Sequence, residues 1–83
     1  MKILYFALFR ERLGRGEEDV TPPPWVVTIR DLIAWLRSRD EAADLVFEKE
    51  NLIRAAIDAR LAKLDAPIAG AATIALLPPM TGG

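Results

Sequence analysis

The side chains that most often carry out chemistry in proteins are missing from this 83-residue chain, which has no His and no Cys. Imidazole general bases, thiol nucleophiles, disulfides and zinc clusters are thereby excluded, and no metal site is expected. Asp44, Glu48, Asp58 and Asp65 fall at no spacing that predicts a pair of catalytic carboxylates. What stands out is the end. From residue 66 to residue 83 no side chain is charged, although charged residues make up 28% of the sequence. The last residues are Pro78, Pro79, Met80, Thr81, Gly82 and Gly83. Prolines cannot donate to a β-ladder and favour an extended path, and glycines carry no Cβ. Such a tail reaches at most about 20 Å, enough to thread a narrow channel in another protein. The carboxylate of Gly83 is then a deliverable acyl group, open to activation and displacement, and is the candidate catalytic group. Residues Pro78, Pro79, Met80, Thr81 and Gly82 are the segment that inserts. At average glycine usage a Gly-Gly end occurs in about one chain in 200, so an idle, frayed end is the competing reading.

The elements that would position this tail can be read from periodicity. Residues 2–9 read as a strand, ended by charges and by Gly14 and Gly16, and residues 17–21 as a second strand stopped by Pro22, Pro23 and Pro24. Thr28 and Asp31 have the spacing of a capping box, and Ile29, Leu32, Ile33 and Leu36 then form one helical stripe. Residues 41–48 suggest a second short helix, with Leu45 and either Val46 or Phe47 turned inward. Residues 52–64 alternate with period two and predict two strands turning near Ala59 and Arg60, and residues 73–77 predict a last strand stopped by Pro78. The expectation is an α+β domain, residues 1–77, with a mixed five-stranded sheet and one main helix across one face, followed by an extended tail, residues 78–83.

Three segments together resemble the small subunit of molybdopterin synthase, a sulfur carrier of ubiquitin-like β-grasp fold. They are KILYFALFRERLG (residues 2–14), LIRAAIDARLAKLDAPI (residues 52–68) and the ending ALLPPMTGG (residues 75–83). The resemblance implies that a ubiquitin-activating-like adenylyltransferase uses ATP to adenylate Gly83, and that sulfur replaces the adenylate to give a thiocarboxylate. It also implies that the tail enters a large synthase subunit, in a heterotetramer, and passes sulfur to cyclic pyranopterin monophosphate. The chain itself would bind no cofactor. It departs from the family's pattern at Ala69–Thr73, where an acidic turn is frequent, and at Asp58, where Asn is frequent.

Strand parity places Ile3, Tyr5, Ala7, Ile53, Ala55, Ile57, Ala62, Leu64, Ile74 and Leu76 inward. It leaves Leu4, Phe6, Leu8, Leu61, Ala75 and Leu77 outward, which predicts an apolar partner interface unless the second helix or a loop covers them. By position, Phe6, Leu61 and Leu77 match residues that face the large subunit in the resembled family. Trp25 and Trp35 are expected to pack in or beside the core, and Arg12 and Arg15 to be a solvated face. Twelve acidic against eleven basic residues give a net charge of −1, and no basic-aromatic cluster marks a nucleic-acid binder. No apolar run approaches the length of a membrane span and no signal peptide is evident, so a soluble, cytoplasmic protein is expected. Two other functions compete with pterin synthesis: sulfur carriage for thiamine or another sulfur metabolite, and a ubiquitin-like interaction module that carries no sulfur.

Overall fold

The computed structural model describes residues 1–79; the expectations placed on Met80, Thr81, Gly82 and Gly83 lie outside the described residues. Five strands form one sheet: β1 (Lys2–Tyr5), β2 (Glu17–Asp19), β3 (Arg54–Ile57), β4 (Arg60–Ala62) and β5 (Thr73–Leu77). Their spatial order is β2-β1-β5-β3-β4, with β5 parallel to β1 and antiparallel to β3. The last strand is therefore the central one. Its register pairs Leu76 with Tyr5 on one side and with Ala55 on the other.

One face of the sheet is covered by the helix Ile29–Arg39 (α2 below), whose stripe of Ile29, Leu32, Ile33 and Leu36 is buried in one cluster with Ile3, Tyr5, Ala55, Ile74 and Leu76. The expected capping box is present, with Asp31 N–H donating to Thr28 Oγ1 at 3.1 Å and Thr28 N–H donating to Asp31 Oδ2 at 3.1 Å. This mixed sheet with α2 across one face is the expected β-grasp arrangement.

Several expectations are corrected. The first strand stops at Tyr5, because Ala7 turns to φ 52° and a helix, α1 (Ala7–Leu13), takes over. Phe9 and Leu13, four residues apart, are its buried face, and Gly14 ends it at φ 72° with its N–H donating to the Arg10 carbonyl. Ala7, expected inward, is exposed in consequence. The second strand ends at Asp19, two residues early. The second short helix, α3 (Glu41–Val46), buries Ala43 and leads into buried Phe47, while Leu45, expected inward, is 66% exposed. Asp40 caps α3, its Oδ1 accepting the Ala43 N–H at 2.7 Å, and this turns Ala43 and Phe47 inward one helical turn apart. The β3–β4 turn lies at Asp58 and Ala59, at φ 47° and 70°, one residue earlier than expected. Trp25 is 55% exposed, because the turn closed by Val26 N–H on the Pro23 carbonyl sends Val26 into the core instead. Trp35 packs partly buried against the core, with the Arg39 guanidinium 4.8 Å from its ring centre. Arg15 is no solvated charge. It bridges Glu18 and Asp40 and lies 5.7 Å from the centre of the Tyr5 ring, tying β1, β2 and the start of α3 together.

Candidate functional site

The site is where β5 leaves the sheet. Because β5 is central, its exit is held from both sides: Phe6 N–H donates to the Leu76 carbonyl at 3.1 Å, and Leu77 pairs with Arg54. Pro78 and Pro79 follow at once and add no donor to the ladder, so the chain must depart from the sheet here.

The uncovered face of the sheet leads to this exit. Register places Leu4 beside Ala75, Ala75 beside Ala56, and Ala56 beside Leu61, an apolar row across four strands. Leu77 lies next along β5 toward the exit, and Phe6 follows β1 beside it. Leu61 is 81% exposed and Phe6 46%, while Leu4, Ala75 and Leu77 are half-buried, so the outward parity holds for these five. The small Ala75 and Ala56 make the middle of the row flat. Ala56 has the outward parity of Arg54 and Asp58, a signal present in the sequence, and is itself only 9% exposed between its neighbouring strands. Among the described residues no element lies over this row: α3 packs against α2 and α1. Charge flanks the row at both ends: exposed Arg54, paired with Leu77, stands at the exit, and Lys2, 3.1 Å from Glu17, stands at the far end.

Leu8 does not belong to this face. It is 45% exposed, but it stands on α1 rather than on a continued β1, and lines a groove on the other side of Pro78 and Pro79.

Asp58 braces the start of the same strand. Its Oδ1 accepts the N–H groups of Thr73 at 2.9 Å and Ala72 at 3.0 Å. These backbone donors, that of Thr73 foremost, hold its carboxyl below the usual aspartate range. The Asp58 carboxylate, in the β3–β4 turn, thus ties that turn to the start of β5. The described residues contain no imidazole or thiol.

A family model described as the ThiS family matches residues 3–83, nearly the whole chain. The chain belongs to the ThiS family. It is accordingly a ubiquitin-like sulfur-carrier protein, of a kind that generally pairs with an activating enzyme. Two solved structures have the same fold. SAMP1 from Haloferax volcanii superposes with a TM-score of 0.75 at 22% identity, over 99% of this chain and 97% of that one. A Pyrococcus furiosus protein provisionally named molybdopterin converting factor, subunit 1, gives a TM-score of 0.71 at 26% identity, over 94% of both chains. No curated protein matches significantly. Among the described residues no helix is long and apolar enough to cross a membrane.

Proposed function

We propose that this ThiS-family member is the sulfur-carrying small subunit of molybdopterin synthase, with Gly83 as the group that carries sulfur. The observation that carries this reading is the likeness, over 94% of both chains, to the provisionally named molybdopterin converting factor subunit. The PPMTGG ending and the apolar row running to its root support it. The chain contributes an acyl group and a docking face, and the catalytic groups belong to its partners. The Gly83 carboxylate attacks the α-phosphorus of ATP in an activating enzyme, releasing pyrophosphate and leaving an acyl adenylate. Hydrosulfide from a sulfur source then attacks the acyl carbon, the C–O bond to AMP breaks, and loss of the sulfur's proton leaves a thiocarboxylate. In the large synthase subunit that sulfur passes to cyclic pyranopterin monophosphate, with water restoring the carboxylate.

Incubation with an activating enzyme, ATP and a sulfur source should exchange one oxygen for sulfur in the intact mass, mapped to the C-terminal peptide. Addition of the large synthase subunit and the pterin precursor should then yield molybdopterin. A thiocarboxylate that feeds a thiazole synthase and not the pterin synthase would move the protein to the thiamine branch. A chain that is never loaded would leave the interaction-module reading.

A further inference from the structure

Besides the row on the open sheet face, a second apolar surface adjoins the tail root among the described residues. On the other side, Pro78 and Pro79 form one wall of a groove of about 470 Å³ between α1 and the segment that runs from α3 toward β3. Its apolar lining includes Leu8, Leu45 and Leu52, which are 45%, 66% and 46% exposed. Three leucines left open in one concavity are the kind of surface a partner covers. Arg12, Lys49 and Glu48 stand around it, giving a net positive rim, and none of the three forms an ion pair among the described residues.

From this we infer that the groove is a second docking site for the activating enzyme, accepting from it an apolar side chain flanked by a carboxylate. The inference rests on the carrier reading. An enzyme that takes the tail as far as Gly83 must close around the tail's root, and Pro78 and Pro79 are shared between that root and the groove. The surface that grips the tail is thus continuous with the groove wall. The positive rim selects an acidic neighbour for the apolar anchor, by the charge complementarity that orients protein partners. Docking on both sides of the root fixes the direction in which the tail leaves the domain, and so where its reactive carbon arrives.

The test uses the full chain and the recombinant adenylyltransferase that loads it, read by ATP–pyrophosphate exchange. Leu45→Glu should raise the KM for the carrier by about tenfold or more, the loss expected on truncating an interface anchor, with kcat little changed. Lys49→Glu should raise KM as well and Lys49→Arg should restore it. Val27→Glu, at a position 56% exposed and outside the groove, should have no effect. Leu45 is largely solvent-facing, so circular dichroism should show the variant folded. Because Lys49→Glu tests the rim separately, unchanged KM values for both variants, with the wild-type chain loaded normally, would overturn the groove while sparing the carrier reading. A wild-type chain that is never adenylated overturns both. Two further results would also overturn the proposal: a shift of the Met80 methyl resonance on Leu45→Glu in the free chain, which would make the chain's own tail the occupant, or a wild-type dimer that the same substitution dissociates.

Discussion

Phe6→Arg separates the docking face from the core. The backbone of Phe6 is fully used: its N–H donates to the Leu76 carbonyl, and its own carbonyl accepts the N–H groups of Phe9 and Arg10 at the start of α1. All of these survive a change of side chain. The residue is 46% exposed in the free chain. A phenylalanine side chain buries roughly 200 Å², so about 90 Å² remains for a partner to cover. At about 25 cal/mol per Å² that is about 2 kcal/mol, or roughly 30-fold in Kd, before any cost of burying the arginine charge. Stability should fall by up to about 2 kcal/mol, because the half of the residue already buried in the free chain is of similar area and the arginine stem keeps part of that contact, and the variant should remain folded. Denaturant unfolding followed by circular dichroism measures the first quantity, and calorimetric titration against the activating enzyme and the large synthase subunit measures the second. A variant that unfolds would show that the ring belongs to the core. A folded variant that binds both partners as tightly as the wild type would show that the open sheet face is not where they dock.

Thr28→Ala should lower stability by about 1 kcal/mol, seen as a lower denaturant midpoint, because Asp31 N–H loses its acceptor at the start of α2. Asp58, held below its ordinary value of 3.8 by Thr73 N–H foremost and then by Ala72 N–H, contributes stability that is present above the unfolded-state pKa. That contribution is lost as pH falls through the folded-state value, so Asp58→Asn, which keeps an acceptor oxygen, should flatten the acid limb of a stability-versus-pH curve below about pH 4. Deleting Gly83 should abolish the oxygen-to-sulfur exchange and leave the thermal midpoint unaltered, whereas one added residue should be as damaging, since it moves the reactive carbon by up to about 3.5 Å. Normal loading of the deleted chain would refute the assignment of Gly83.

Much of the fold was legible because local signals agreed with the global arrangement. The Thr28–Asp31 capping box and the Ile29, Leu32, Ile33, Leu36 stripe specified α2, and the Ile74, Leu76 alternation bounded by Pro78 specified β5. Residues 2–9 misled because an unbroken apolar run suits a buried strand and a helix start equally well. The break is a backbone event at Ala7, with φ 52°, and only the i, i+4 spacing of Phe9 and Leu13 before Gly14 hints at α1. Leu45 and Trp25 misled in the same way, since apolar character tells that a residue can be buried and not which of two neighbours will be. Ala43 and Val26 took those places. The absence of His and Cys, the uncharged end and the Gly-Gly pair are read from the sequence alone, and with them the expectation that the Gly83 carboxylate is the working group. Only the tertiary structure decided that Leu4, Ala75, Ala56 and Leu61 form one row, and that Leu8 leaves it for a groove behind Pro78 and Pro79. The row comes from pairing strands far apart in sequence, and the register that aligns them is set by burial of the opposite face against α2, which no local segment encodes.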